Sequence, residues 1–267
     1  LKRLIIRPGA IGDCILALPA MEWLRADDTE VWVASQNVPL IRFADRVRAI
    51  SSTGLDRVEI PGLDAPAFPP FDSIVSWYGA GRPEFREAVR GLPFRFLAAL
   101  PEAGERRHAA DFFLEQAGGN AFPAVPRIDC PRRPGGFVAI HPFSGSARKN
   151  WPLERYRALA ARLPGPVYWT AGPEEPLDGA VRFEDLYELA GWLASARLYI
   201  GNDSGITHLA AAAGAPVVAL FGPTDPAVWA PRGERVRVVA TARPGTPIDE
   251  IPLEAVLDAA RALGIET

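Results

Sequence analysis

The stretch LYIGNDSGITHLAAAAGAPVVALFGPTD, residues 198–225, decides the fold. Leu198–Ile200 is a short apolar run of strand type. Gly201–Gly205 is a turn of small and polar residues, and a helix opens at Ile206-Thr207-His208-Leu209-Ala210. Gly214 and Pro216 close that helix, and Val217–Phe221 is a second apolar run that stops at Gly222-Pro223. Both runs are apolar throughout rather than alternating, as strands covered on two faces require. Strand, crossing helix and strand make a βαβ unit and imply a parallel sheet.

The same alternation extends outward. Leu4–Arg7, Val31–Ala34, Ser73–Trp77, Phe137–Ile140, Val167–Thr170 and Val236–Val239 read as further strands. Helical spacing lies between them, as in Leu153, Tyr156, Leu159, Ala160 and Leu163. Residues 118–136, GGNAFPAVPRIDCPRRPGG, are dense in Pro and Gly and carry no apolar period. They read as a linker between domains at 1–133 and 134–267. Each half opens with a strand, a turn of small residues and a helix. The expected class is therefore α/β, with two Rossmann-like domains whose parallel sheets face across a cleft. Ligands of such sheets bind outside the carboxyl ends of the strands, so the strand-to-helix turns are where chemistry is expected.

Composition narrows the function. With 48% hydrophobic and 23% charged residues, the chain is of soluble globular type. A net charge of −3 provides no global basic field for nucleic acid or an anionic bilayer, so any phosphate binding must be local. Cys14 and Cys130 form no CxxC pair and no His cluster adjoins them, which argues against a zinc site or a disulfide framework. A reducing, cytoplasmic setting is expected. The run at Leu4-Ile5-Ile6 shows no signal-peptide layout. Leu209–Phe221, broken by Gly214 and Pro216, is too short to span a bilayer. Peripheral contact with the inner membrane is left open. Among 29 basic residues only Lys2 and Lys149 are lysines. A lysine kept at 149 suits a place that wants a compact ammonium rather than a planar fork.

Four turns carry candidate chemistry. In Pro8-Gly9-Ala10-Ile11-Gly12-Asp13 the glycines permit a sharp bend and close approach of a ligand. Asp13 reads either as a helix N-cap or as a base for an attacking hydroxyl. In HPFSGSARKNWP, residues 141–152, Ser144, Gly145 and Ser146 offer hydroxyls and backbone N–H groups as an anion nest, and Lys149 adds a point charge. The pattern is neither GxGxxG nor a P-loop, and an ordinary surface loop is the alternative. In GNDSG, Asp203 or Ser204 caps a helix whose N-terminus favours phosphate, with Gly205 beside it. His208 reads equally as ligand-facing or as packing. Thr224 and Asp225, after the next strand, reach a bound sugar or cap the following turn.

Taken together, the segments RPGAIGDCILALPAMEWLR (7–25), HPFSGSARKNWPLERYRALAARL (141–163) and LASARLYIGNDSGITHLAAAAGAPVVALFGPTDPAVWAPRG (193–233) resemble the ADP-heptose:lipopolysaccharide heptosyltransferases, glycosyltransferase family nine. RRHAADFFLEQAG (106–118) is a weaker match, and residues 35–105 carry little of the resemblance. The resemblance implies the GT-B fold and an inverting transfer of heptose from an ADP-sugar to a glycolipid or polysaccharide acceptor, the lipopolysaccharide core. It implies no metal and no cofactor, the ADP-sugar being a co-substrate. By position it assigns Asp13 as general base. Ser144, Gly145, Ser146 and Lys149 fall in the phosphate loop. Asp203, Ser204, Gly205 and His208 become diphosphate and sugar contacts, and Thr224 and Asp225 lie by the donor sugar. Glu174 falls at the ribose position, with Glu175 an equal candidate. Two departures stand against it: the first half is short for the family, and its acidic and basic residues balance over 1–133, where an anionic acceptor calls for a basic groove. Arg82, Arg86, Arg90 and Arg95 supply such a groove or are a solvated face. A nucleotide-sugar epimerase or hydrolase on the same scaffold, and a non-catalytic nucleotide-sugar binding protein, are the competing readings.

Overall fold

The computed structural model describes residues 1–58, 68–101, 104, 106–133 and 135–266. The chain forms two compact units, Leu1–Ala124 and Val125–Thr267. The division falls at 124/125 rather than 133/134, because the intervening residues adhere to the second unit. Ile128 N–H donates to Ala212 O at 2.9 Å, Arg133 N–H to Ser195 Oγ at 3.0 Å, and the Tyr187 hydroxyl to Asp129 O at 3.1 Å. Pro134, the expected first residue of the second domain, lies outside the described residues.

Unit 1 carries β1 (Lys2–Arg7), α1 (Ile11–Trp23), β2 (Asp28–Val33), β3 (Arg46–Ala49), β4 (Ser73–Ser76), α2 (Pro83–Ala88), β5 (Phe94–Phe96) and α3 (Ala109–Ala117). Its sheet is parallel in the order β3-β2-β1-β4-β5. Unit 2 carries β6 (Val138–His141), α4 (Leu153–Ala160), β7 (Val167–Trp169), α5 (Leu186–Ser195), β8 (Leu198–Asn202), α6 (Gly205–Ala212), β9 (Val217–Phe221), α7 (Pro226–Trp229), β10 (Val236–Ala240) and α8 (Leu253–Arg261). Its sheet is parallel in the order β10-β9-β8-β6-β7. Both units are Rossmann-like, and all the strands expected from apolar runs are present. β3 and β5 are not among the strands expected from apolar runs. Each is a short edge strand, and Arg46-Val47-Arg48-Ala49 exposes its arginines, so neither shows a continuous apolar run.

The cores explain the order. In unit 2, Val138, Ile140, Leu198, Ile200, Val218 and Leu220 pack with Tyr156 and Leu159 of α4 and Val256 and Leu257 of α8. Each such side chain contributes about 1.5–3 kcal/mol when fully buried. In unit 1, Leu4, Ile6, Trp32 and Ile74 pack with Phe85 and Val89.

Each sheet reverses its winding once. In unit 1 the chain moves from β1 outward through β2 and β3, then returns to place β4 on the other side of β1. In unit 2 it moves from β6 to β7, then returns to place β8 on the other side of β6. At such a switch point two adjacent strand-exit loops diverge and leave a crevice. The turns after β1 and β4, and those after β6 and β8, are thereby singled out by topology alone.

Gly222, at the exit of β9, is held by close approach: a Cβ there would lie 2.7 Å from Ile248 Cα and 2.8 Å from Ile248 N. Gly222→Ala is expected to lower stability by about 1–3 kcal/mol through overpacking. A urea melt of purified variant and parent reads this directly, and coincident midpoints would refute the packing argument.

Candidate functional site

In unit 2 the site is built around β8. Its last residue, Asn202, is wholly buried and uses its amide three times. Asn202 Nδ2 donates to Pro142 O at 2.8 Å, while Oδ1 accepts from Trp151 N–H at 3.1 Å and from the Tyr156 hydroxyl at 2.9 Å. The amide therefore fastens both ends of the loop that follows β6, and α4 beyond it, to the exit of β8. Trp151, buried, is held again from its indole, whose Nε1–H donates to Ile251 O at 3.0 Å.

That loop delivers Lys149. The Ser144 hydroxyl lies 2.8 Å from Ser146 O and 2.7 Å from Asn150 Oδ1, and Ser146 N–H donates to Ser144 Oγ at 3.3 Å. Ser144 thus shapes the loop from within, whereas Gly145 at the tip is exposed. Lys149 ends a 3-10 turn over Ala147–Lys149 and donates from Nζ to Asp203 Oδ2 at 2.6 Å. Thr224, at the exit of β9, donates to the same Oδ2 at 2.7 Å. His208 Nε2 stands 4.0 Å from Asp203 Oδ1. The structure thus brings Lys149, Asp203, His208 and Thr224 together.

The arrangement divides their roles. Asp203 is nearly buried and can only accept; its charge is met by Lys149 and by the Thr224 hydroxyl. Lys149 is the more exposed partner, 30% against 8%, and two of its three N–H donors are not used on Asp203. Ser204, not Asp203, caps α6: its hydroxyl accepts from Thr207 N–H at 3.3 Å. Thr207 is locked in turn between the Tyr199 hydroxyl, 3.1 Å away, and Asn202 O. The N-terminus of α6, which begins at Gly205, therefore opens beside Lys149 with its positive end at the strand exits. Asp225 caps α7, accepting from Ala227 N–H at 2.9 Å.

After β7, Glu174 is exposed and Glu175 turns inward. Glu175 Oε2 lies 2.9 Å from His141 Nε2 and also accepts from Gly172 N–H. Burial alone would raise the Glu175 carboxyl. The His141 imidazole, the Gly172 N–H and Arg182 outweigh it and hold the group below its ordinary value. His141 is itself buried, and its Nδ1 has no hydrogen-bond partner among the described residues. An unmet acceptor is tolerated there better than an unmet N–H, so the proton belongs on Nε2, facing Glu175.

In unit 1, Asp13 stands at the exit of β1 but is not the N-cap of α1. The cap is Ala10, and Asp13, in the first turn, reaches back so that Oδ2 accepts from Ala10 N–H at 3.0 Å. Gly9 adopts φ +116°, and a Cβ there would press on Asp13 Cβ and Oδ2 at 2.9 Å. The buried Asn37 amide donates to Gly9 O at 3.3 Å. Asp13 remains one-third exposed. The four arginines differ in their partners. Arg86 and Arg90 line a groove of about 680 Å³ with Leu92 and Phe96, Arg82 stacks on Tyr78, and Arg95 donates to Gln116 O.

Asn202, His141 and Arg7 escape the sequence reading. All three lie in or beside turns that it quotes, but a strand-exit Asn reads as turn former and a strand Arg as solvated. Among the described residues no helix is long and apolar enough to cross a membrane.

Against known proteins, residues 183–251 match the model of glycosyltransferase family 9 (heptosyltransferase). That segment, about a quarter of the chain, is similar to the family. The family segment begins ahead of α5 and takes in the β8–α6–β9 core of the site. Lipopolysaccharide heptosyltransferase 3 of Escherichia coli K12 is 42% identical over 119 residues, 38% of this chain and 35% of that protein. The chain matches only about a third of the length of the curated relatives. Over nearly the whole fold, the family 9 glycosyl transferase from Veillonella parvula superposes with a TM-score of 0.75 at 19% identity, covering 98% of this chain and 97% of that one. The E. coli heptosyltransferase WaaC with ADP does so at 0.72 and 17%, covering 98% and 100%. These two share the fold, which is GT-B.

The depressed Glu175 carboxyl has a testable sign. Its stabilising share is complete above the ordinary carboxylate value, near 4.5, and disappears as pH falls through the lower folded value. Glu175→Gln is thus expected to be less stable than the parent at pH 7, with the gap closing as the buffer is taken below that value. A gap independent of pH, measured by chemical denaturation, would remove the His141–Glu175 pair as its cause.

Proposed function

We propose that this chain transfers a sugar, heptose, from an ADP-sugar to a glycolipid or polysaccharide acceptor of the lipopolysaccharide core, with inversion and without a metal. The observation that carries the reading is the Lys149–Asp203–Thr224 cluster beside the α6 N-terminus, at the switch point of the unit whose residues 183–251 match family 9. A leaving nucleoside diphosphate gains negative charge as the glycosidic bond breaks. Lys149, with donors to spare, and the helix N-terminus meet that charge. Asp203 does not bind phosphate in this reading; it holds Lys149 and Thr224 in place. Gly145 and Ser146 bring backbone N–H groups and a hydroxyl to the same loop, and His208, Thr224 and Asp225 border the donor sugar.

For the ribose we favour Glu175 over Glu174, because His141 and Gly172 fix Oε2 and leave Oε1 for a sugar hydroxyl. In the transfer, the acceptor oxygen attacks the anomeric carbon as the carbon–oxygen bond to the diphosphate breaks. Its proton passes to Asp13, and ADP departs with the bonding electrons. Base assistance of this kind contributes about 10²–10⁴-fold. Arg86 and Arg90, lining the groove in unit 1, suit an anionic acceptor. The setting is cytoplasmic, at the inner face of the membrane. WaaC, solved with ADP, lends support to the nucleotide.

A thermal-shift panel tests the donor class. ADP-sugars are expected to raise the melting temperature by mass action, GDP-, UDP- and dTDP-sugars to do so less, and Lys149→Ala to lose most of the ADP response. Equal responses to all four nucleotides, or an unaltered one in Lys149→Ala, would overturn the reading.

A further inference from the structure

Arg7, the last residue of β1, is only 2% exposed, yet it carries a charge. Its guanidinium is enclosed by two aromatic rings, 4.6 Å from the Phe113 centroid and 5.5 Å from that of Trp77. Nη2 donates to Asp13 O at 3.1 Å and stands 4.0 Å from Asp13 Oδ1. Nε is buried with no hydrogen-bond partner among the described residues. This is a poor way to build a core. Apolar side chains of similar volume commonly replace buried ion pairs without loss of stability, and an unmet buried N–H costs stability. Burial lowers the affinity of Arg7 for its proton, and the opposing influence comes first from Asp13. The neighbouring Cys14 thiol is pushed up to about 12 by burial, so it offers no counter-charge at neutral pH. The carboxylate answering this cation is Asp13.

We propose that Arg7 is a positioning residue for Asp13: from inside the Trp77–Phe113 box it holds the first turn of α1 by the Asp13 carbonyl and faces one carboxylate oxygen. Ala10 N–H holds the other oxygen, and Asn37 and Gly9 fix the bend between. Both oxygens then have a defined direction, as a base must have if its remaining lone pairs are to meet an acceptor hydroxyl. Reciprocally, Asp13 balances a cation that has no water around it. The proposal rests on the base role given to Asp13 above.

Four proteins test it: Arg7→Met, Arg7→Lys, Asp13→Asn and the Arg7→Met/Asp13→Asn double variant. Each is followed by thermal unfolding and by transfer from ADP-heptose to deacylated lipopolysaccharide core in buffer containing EDTA. Arg7→Met is expected to melt at or above the parent temperature, because the aromatic box accepts its apolar chain. Its kcat should nevertheless fall on the order of 10²-fold, with KM for donor unchanged. Arg7→Lys should recover part of that loss. Asp13→Asn should melt below the parent, the double variant should regain that loss, and its kcat should be no lower than that of Asp13→Asn alone.

Should Arg7→Met keep its turnover while Asp13→Asn is inactive, the Arg7 proposal falls and the base reading stands. Multiplying losses in the double variant also overturn it, since they mean that Arg7 acts apart from Asp13. If Asp13→Asn turns over like the parent, the base reading falls and takes the Arg7 proposal with it.

Discussion

The amide of Asn202 is the constraint on which unit 2 depends. A Rossmann-like sheet supplies a crevice wherever its winding reverses, but it does not decide how the loops at that crevice are held. Here one buried side chain, at the end of the central strand, bonds to Pro142, Trp151 and Tyr156 and so fastens the neighbouring loop at its start, its end and the helix beyond. With those three points fixed, the 3-10 turn carrying Lys149 has little freedom, and its ammonium meets Asp203 at 2.6 Å. The ion pair is a consequence of the amide, and the pre-set cation is a consequence of the ion pair. A lysine on a free loop would have to be ordered by its ligand at the expense of binding.

Unit 1 shows the same logic with different groups. Its switch point lies between β1 and β4, and the turn after β1 is over-determined: Gly9 bends it, Asn37 holds its carbonyl, Arg7 and Ala10 face the two carboxylate oxygens of Asp13. In each unit a buried polar side chain is committed to a strand-exit turn, and in each the residue so held remains partly open to solvent. Interiors rarely spend buried polar groups in this way for stability alone.

Much of this was legible in the chain, for identifiable reasons. Val217–Phe221 and its companions are apolar throughout because they are covered on both faces, and that signal needs no neighbour to be read. Arg46–Ala49 and Phe94–Phe96 lie at sheet edges, where one side faces solvent and the run is too short to show a pattern. Lys149 stands out because lysine is scarce, and Asp203 because it follows a strand, yet their pairing spans 54 positions and exists only through the β6–β8 adjacency. Asn202 was in plain view but carries no mark that separates a buried clamp from a turn former. Asp13 illustrates a finer limit: a carboxylate at the start of a helix is easy to see, whereas its place in the first turn rather than at the cap depends on where the backbone bends. The seam at 124/125 was blurred because Pro and Gly density marks an extended segment without saying which unit it lies against.

The pre-set Lys149–Asp203 pair and the N-terminus of α6 are the proposed diphosphate site. A crystal structure of the protein with ADP tests it most directly. The expected result is phosphate oxygens within hydrogen-bonding distance of Lys149 Nζ and the first turn of α6, with the Lys149–Asp203 pair retained. It would be contradicted by ADP seated elsewhere, for instance in the 480 Å³ cavity lined by Arg127, Asp129, Arg132 and Arg235, with no phosphate beside Lys149.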